Sequence, residues 1–230
     1  MSEPRVSVLI PVYNGARYLG EALASALSQR PGALEVIVVD DGSSDSSAEV
    51  ARSFDHPVRC ISLRNGGIAR ARNAGLAESS GDFVAFLDAD DVWTPGALSA
   101  LLAPLLADSS VDLVFGHVRE FVSEDCDQQQ ARKLTARPGL LRGFLTGSLL
   151  ARRTAFESVG GFREDIRSGE FLDWIARSRH LGRREALVDD QVLWRRIHGD
   201  NHGLRHADAR SDYALVLKSA LDRRRAAGSS

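Results

Sequence analysis

The chain has 230 residues, 43% of them hydrophobic and 26% charged, a composition typical of a folded globular protein rather than a disordered one. Its 29 basic and 31 acidic residues give a formal charge of −2, so net charge indicates no attraction to nucleic acid or to an anionic membrane. The two cysteines, Cys60 and Cys126, form no disulfide or metal-binding pattern, and we expect both to be reduced thiols.

No part of the sequence predicts a membrane anchor or a secretion signal. The longest uncharged stretch, Val92 to Ala107, is interrupted by Pro95 and Pro104 and is shorter than the roughly 18 to 20 apolar residues of a membrane span. The N-terminus passes directly into an alternating apolar run, without the apolar core of a signal peptide. We therefore expect no integral membrane segment and a cytoplasmic location.

Apolar strands alternate with helical patterns along the N-terminal half. The predicted strands are 6–11, 34–39, 58–63, 83–87 and 111–114. The helices predicted between them are 18–28, 48–54, one ending near 78, and one starting near 95. Strands of near-continuous apolar character separated by helices favour a mostly parallel sheet with helices on both faces, so the predicted fold class is α/β.

The pattern changes after the fifth strand. Residues 124–130 are polar and predict a surface loop, and further helices are predicted at 153–159, 172–181 and 208–225. We therefore divide one compact domain into a first part over 1–115, a smaller second part over 116–207, and a C-terminal helix and tail over 208–230.

Acidic residues follow two of the predicted strands. Asp40 and Asp41 end the second strand, and Asp88, Asp90 and Asp91 follow the fourth. Because the carboxyl ends of parallel strands form one rim, these carboxylates would repel one another there unless a cation lay among them. Oxygen ligands without cysteine favour Mg²⁺ or Mn²⁺, which keep coordination positions for substrate phosphates. The rim therefore predicts a metal-bound nucleoside diphosphate.

A glycine-rich segment, NGGIARARNAG at 65–75, lies after the third strand. It lacks the G-x-G-x-x-G of dinucleotide sites and the G-K-S/T of phosphate-binding loops. Beside a metal-bound diphosphate, Arg70 and Arg72 are candidate charge partners for phosphate, and a solvated helix face is the alternative for both.

Four blocks, in this order, resemble the family 2 glycosyltransferases, which have the GT-A fold and transfer a sugar from a nucleotide sugar with inversion. The blocks are VSVLIPVYN at 6–14, EVIVVDDGSSD at 35–45, NGGIARARNAG at 65–75 and GDFVAFLDADD at 81–91. The resemblance implies a metal-dependent transferase with Mn²⁺ or Mg²⁺, a uridine or thymidine diphosphate sugar as favoured donor, and an acceptor of unknown chemistry. It also implies that 1–115 bind the donor and 116–207 the acceptor.

The resemblance assigns roles to individual residues. The positions that it places at the nucleotide are Pro11, Tyr13, Asp41, Arg72, Asp88 and Arg196. Tyr13 would stack on the base and Asp41 would accept a hydrogen bond from a ring nitrogen, with core packing and a helix cap as their respective alternatives. Asp88 and Asp90 would form the family's D-x-D motif, with Asp90 as the direct metal ligand and Asp88 nearer to the ribose.

An inverting transfer needs a base that removes the acceptor proton. Family members usually place an acidic pair, often Glu-Asp, at the start of a helix after a G-G-F loop. Here Glu170 is followed by Phe171, so the expected aspartate is absent. Glu170 and Asp173 are three residues apart and share a helix face. We expect Glu170 to be the base; Asp173 is the second candidate, with a helix-start role as its alternative.

The segment RRIHGDN at 195–201 resembles the late R-x-H-x-x-N segment of the family. By this resemblance Arg196 would meet the diphosphate, and His198 would complete the metal shell beside Asp88 and Asp90 or contact phosphate.

Two other functions remain open from the sequence. A sugar-phosphate nucleotidyltransferase could use a similar sheet and metal, but the G-x-G-T-R-type loop of such enzymes is absent after the first strand, where the chain reads NGAR at 14–17. A catalytically silent nucleotide-sugar-binding module is the second alternative, because Phe171 replaces the expected acid.

Overall fold

Nine strands join into one mixed sheet in the computed structural model, which describes residues 4–30, 35–125, 134–199 and 210–227. The strands are β1 (Val6–Val12), β2 (Glu35–Asp40), β3 (Val58–Ser62), β4 (Phe83–Phe86), β5 (Val92–Trp93), β6 (Leu113–Val122), β7 (Leu141–Arg142), β8 (Leu149–Arg152) and β9 (Glu185–Ile197). The helices are α1 (Ala16–Leu27), α2 (Ser47–Arg52), α3 (Ile68–Glu78), α4 (Ala97–Ala107), α5 (Arg153–Val159), α6 (Glu170–His180) and α7 (Arg210–Ala227), with a short 3₁₀ turn at Thr146–Ser148.

The N-terminal strands form the parallel part of the sheet, in the order β3-β2-β1-β4. Every residue of β1 and all but the first residue of β2 are buried, as expected for parallel strands that are covered on both faces. Val12 of β1 pairs with Asp40 of β2, so the loops after both strands emerge at the same edge.

The C-terminal strands extend the sheet from β4 in the order β8-β6-β9-β5, and β7 pairs with β6. β8 is antiparallel to both β4 and β6, whereas β6 and β9 are parallel. A register shift interrupts the β6–β9 pairing between Phe115 and Val118. A Cβ atom on Gly116, inside this irregular stretch, would lie 2.4 Å from Val192, so the close approach of β9 requires glycine there.

Side chains on the two faces of the sheet form two cores. Val8 and Ile10 of β1 pack with α1 and α4, and Leu9 between them packs with α3, α5 and α6. This alternation is the period of two expected of a strand, and it fixes which helices lie on which face.

The structure confirms the predicted α/β fold class with helices on both faces and the positions of the first four strands. The sequence did not predict β5, β7, β8 or β9, and residue 115, the predicted division, lies inside β6. Cys126 and the rest of the predicted loop beyond residue 125 lie outside the described residues, as do residues 200 and 201 of the late segment. Within the described ranges, no helix is both long and apolar enough to cross a membrane.

Candidate active site

A cleft of about 720 Å³ opens at the carboxyl ends of the parallel strands. Its walls come from the end of β1, the glycine-rich loop before α3, the loop after β4, the loop before α6 and the end of β9. This volume lies within the range of small-molecule pockets, and the position is the one at which open α/β sheets bind ligands.

The chain leaving β1 is held by the loop after β2. Asn14 has a left-handed backbone, with φ of 52°, and its N–H donates to Ser43 Oγ over 2.9 Å. The Asn14 side-chain oxygen accepts the N–H of Ser44 over 2.8 Å. Tyr13, just before this turn, lines the cleft and is 49% exposed, so it does not pack in the core.

Asp41 fixes the glycine-rich loop. Its two carboxylate oxygens accept the N–H groups of Gly66 over 2.9 Å and Gly67 over 2.7 Å, and Gly67 has a φ of 90° that favours glycine. Burial raises the pKa of the Asp41 carboxyl, and the two N–H donors oppose this rise. Asp41 therefore anchors a loop rather than capping a helix, and it still lines the cleft.

Asp88, the first acid of the D-x-D sequence, is held by an arginine that lies outside the cleft wall. Arg72 Nη2 donates to Asp88 Oδ1 over 2.9 Å, and Arg72 Nη1 donates to Glu170 Oε1. The Arg72 guanidinium is only 3% exposed and does not line the cleft. Arg72 thus connects the loop after β4 to the start of α6.

The second acid of that sequence is paired with the histidine of the late segment. His198 Nε2 lies 2.9 Å from Asp90 Oδ2, and the His198 ring lies 4.9 Å from the Tyr18 ring between centroids. Asp90 and His198 both line the cleft although they are 108 positions apart in sequence. The structure therefore brings together two of the predicted metal-site residues.

Asp91, the next residue, supports β9 rather than contacting solvent. Its Oδ1 accepts the backbone N–H of Arg196 over 2.9 Å. Burial, together with the neighbouring Asp90 and Asp88 carboxylates, raises the pKa of Asp91 well above its usual value.

Arg195 and Arg196 point in different directions because successive side chains of a strand alternate between its faces. Arg196 is buried; it donates from Nε to the Asp90 carbonyl over 3.0 Å and from Nη2 to Glu21, and it lies over the Tyr18 ring. Arg195 lines the cleft, and Arg196 does not. The predicted contact of Arg196 with diphosphate stays a prediction, and its present contacts support Asp90.

Neither acid predicted as the base lies on the cleft wall. Glu170 is buried in its pair with Arg72. Asp173 is fully buried and accepts from Arg177 Nε over 2.8 Å. Phe171 packs in the core against Phe115, with ring centroids 6.4 Å apart.

Glu164 is the carboxylate that the loop before α6 contributes to the cleft wall. It accepts a hydrogen bond from Asn73 Nδ2 over 2.7 Å. Glu164 was not predicted from the sequence. Its available signal was its place two residues after the G-G-F loop, in the connection where the resemblance locates the base.

The comparisons decide the family. Residues 7–167 match the family model described as glycosyl transferase family 2. The chain belongs to glycosyltransferase family 2. It is 32% identical to an uncharacterised glycosyltransferase of Nostoc sp., over 95% of this chain and 72% of that protein. It is also 30% identical to the chondroitin synthase of Pasteurella multocida over 96% of this chain, but spans only 24% of that synthase.

Solved structures show that this glycosyltransferase has the GT-A fold. Residues 1–349 of Staphylococcus aureus TarS in complex with UDP-GlcNAc superimpose with a TM-score of 0.71 at 22% identity, over 92% of this chain and 65% of that fragment. The mannosyltransferase PcManGT of Pyrobaculum calidifontis, in complex with GDP-Man and Mn²⁺, gives a TM-score of 0.71 at 20% identity, over 96% and 65% of the two chains.

The metal-binding side chains at the cleft of the glycosyltransferase suit a metal ion that a substrate also coordinates. Among the residues that the structure describes, no group of three or more His, Cys, Asp or Glu side chains is arranged to enclose an ion. Asp88 and Asp90 nevertheless present partly exposed carboxylates at the cleft, beside His198. Mg²⁺ and Mn²⁺ sites in which one or two carboxylates combine with substrate phosphates need no more than this.

Proposed function

We propose that this glycosyltransferase transfers a sugar, with inversion, from a nucleoside diphosphate sugar to an acceptor hydroxyl or a similar nucleophile, and that it requires Mn²⁺ or Mg²⁺. The observation that carries the proposal is the convergence of Tyr13, Asp41, Asp90 and His198 on one cleft at the carboxyl ends of the parallel strands. The complexes of TarS with UDP-GlcNAc and of PcManGT with GDP-Man and Mn²⁺ support a donor of this class.

Tyr13 and Asp41 are the residues that we assign to the base of the donor, beside Pro11 at the same wall. Tyr13 offers an exposed ring face for stacking, and Asp41 keeps lone pairs beyond those used by Gly66 and Gly67. An acceptor at this place suits uridine or thymidine, whose ring N3–H is a donor, and disfavours cytidine, whose N3 carries no proton.

Asp90 and His198 would hold the metal ion, and Asp88, kept in place by Arg72, would lie nearer to the ribose. A bound divalent ion supplies positive charge that stabilises the departing diphosphate. The two carboxylates and the imidazole must face the cleft for this role, and all three residues line it.

We assign Glu164, rather than Glu170, as the base that removes the acceptor proton. Glu164 faces the cleft, and within the described part of the chain its hydrogen bond is the one from the Asn73 amide. Glu170, the base predicted from the sequence, would have to leave its buried pair with Arg72 before it could reach an acceptor oxygen. We therefore propose that Glu170 positions Arg72 and that Asp173 stabilises α6.

A test begins with the purified chain, Mn²⁺ and a panel of uridine, thymidine and guanosine diphosphate sugars. Selective thermal stabilisation by one donor, followed by slow release of its sugar to water, is the expected result. Donor binding without any sugar release or transfer would indicate a silent binding module. Diphosphate release from a nucleoside triphosphate would instead indicate a nucleotidyltransferase. The cytoplasmic location and the lack of nucleic-acid binding stay predictions from the sequence.

A further inference from the structure

A cross-strand ion pair lies where β6 and β9 approach the cleft. Glu120 of β6 and Arg195 of β9 are register partners, and Arg195 Nη1 donates to Glu120 Oε1 over 3.0 Å. The Glu120 side chain is 3% exposed, and the Arg195 side chain is 31% exposed toward the cleft. The buried Glu120 carboxylate therefore binds the Arg195 guanidinium, and the Arg195 side chain remains partly exposed at the cleft.

A second arginine binds the same carboxylate. Arg137 donates to Glu120 from its backbone N–H over 2.9 Å and from Nη2 over 2.6 Å. These bonds lower the pKa of Glu120 to about 2, so its carboxylate is ionised at neutral pH. One negative charge thus faces two positive charges, and the group of three carries a net charge of +1.

Arg195 has donors left for a ligand. Its hydrogen bond within the described residues is the one to Glu120, and a guanidinium has five N–H groups. The neighbouring cleft wall carries the carboxylates of Asp88 and Asp90, which repel an anion. An anionic ligand at this wall needs a cation that is already oriented, and Arg195 provides one.

We propose that Arg195, oriented by Glu120 and Arg137, binds a phosphate group of a substrate in the cleft. The position of this phosphate rests on the proposed function, because the donor of a glycosyltransferase carries a diphosphate. The phosphate has two sources: the donor itself, or an acceptor that is phosphorylated. Bidentate hydrogen bonding from a fixed guanidinium suits either source.

Calorimetry with UDP and UMP in the presence of Mn²⁺ tests the donor source. If Arg195 binds the donor diphosphate, Arg195→Gln weakens UDP by about 10-fold or more and UMP by less, since charge-assisted hydrogen bonds are lost. Arg195→Lys keeps the charge and should recover part of the affinity. Glu120→Gln leaves Arg195 in place but unoriented, so it should shift the UDP-to-UMP ratio in the same direction by a smaller factor.

Inorganic phosphate added to the UDP-saturated protein tests the acceptor source. Saturable phosphate binding that Arg195→Gln abolishes, with UDP affinity unchanged, would place the acceptor's phosphate at Arg195. The control is Arg59→Gln, because Arg59 is also a strand arginine paired with carboxylates but lies outside the cleft.

The outcomes separate this proposal from the proposed function. UDP and phosphate binding that is identical in the wild type, Arg195→Gln and Arg59→Gln overturns the role of Arg195 and leaves glycosyl transfer intact. Arg195-dependent phosphate binding in a chain that binds no nucleotide diphosphate supports the role of Arg195 and contradicts the proposed donor. Absence of both kinds of binding overturns both.

Discussion

The two halves of the cleft are built by different means. On the side of β1, β2 and β4, each site residue follows the end of a strand, so the strands bring Tyr13, Asp41 and Asp88 to one edge. On the side of β6, β9 and α6, side chains are placed by ion pairs between distant positions, such as Asp90 with His198 and Glu120 with Arg195. The first half depends mainly on its strand ends, with Arg72 as an added support for Asp88, whereas the second depends on each partner of each pair.

The largest effect on turnover is expected where the two halves meet, at Asp90. Asp90→Asn removes the charge of the proposed metal ligand, and we expect turnover to fall by roughly 10² to 10³-fold because charge stabilisation of the leaving group is lost. His198→Gln removes the second proposed metal ligand and should cost less, about 10-fold, because the Asp90 carboxylate and the substrate phosphates would still hold the ion. Initial rates at several Mn²⁺ concentrations measure both effects.

The control for Asp90→Asn is Asp82→Asn. Asp82 precedes β4 at the opposite end of the strand and pairs with Arg5 on the surface. Equal losses in the Asp90 and Asp82 variants would mean that acids near β4 act only through stability, and the metal assignment would have to be abandoned.

The next largest effect distinguishes the roles of Glu164 and Glu170, the two acids near the start of α6. Glu164→Gln should lower kcat by about 10²-fold with little change in donor affinity, because a base acts in the chemical step. Glu170→Gln should mainly raise the KM of the donor, because Arg72 would lose the partner that holds it against Asp88. Steady-state kinetics with varied donor concentration distinguish the two patterns.

Asp165→Asn is the matched control for Glu164→Gln, since Asp165 is the next residue, is exposed and does not line the cleft. If Glu170→Gln loses kcat while Glu164→Gln keeps a normal rate, then Glu170, the acid predicted from the sequence, is the base.

The contrast between the halves explains what the sequence could predict. Apolar runs predicted β1, β2 and β4, and the acids that follow β2 and β4 predicted a site at their common edge, because burial and strand ends are local properties. β9 was missed because its polar residues, such as Asp189 and Arg195, obscure the alternation of a strand. Without that strand, nothing in the spacing shows that Arg195 faces the cleft while Arg196 faces Tyr18 and Glu21. The pair of Glu170 with Arg72, 98 positions away, is likewise a product of tertiary structure.

Asp41 is expected to show a smaller, nucleotide-selective effect. Asp41→Ala should weaken UDP by about 10-fold through loss of an acceptor for the uracil N3–H, and should weaken CDP less, because the cytosine N3 carries no proton. The variant also releases the N–H groups of Gly66 and Gly67, which affects every nucleotide. Dissociation constants for UDP and CDP separate the two contributions. An equal loss for both would leave Asp41 with the loop-anchoring role alone.

The smallest effect on turnover is expected at Asp173, whose side chain we expect to contribute only to the stability of the second half. Asp173 is fully buried and accepts from Arg177 Nε over 2.8 Å and from Arg223 Nη2 over 3.4 Å, so it joins α6 to α7. Asp173→Asn should lower the free energy of unfolding by about 2 to 4 kcal/mol, because the partly buried Arg177 and Arg223 lose the buried charge with which they pair. Turnover by the folded fraction should stay within about twofold of the wild type, since the carboxylate does not line the cleft.

Urea unfolding and rates at a temperature where the Asp173→Asn variant is folded measure the two quantities separately. Asp165→Asn, which breaks an exposed pair with Arg163, is the control and should change stability by less than about 1 kcal/mol. If Asp173→Asn keeps its stability but loses turnover, α6 must move so that Asp173 reaches the substrate. The ion pairs of the second half would then be part of the catalytic cycle rather than a fixed support.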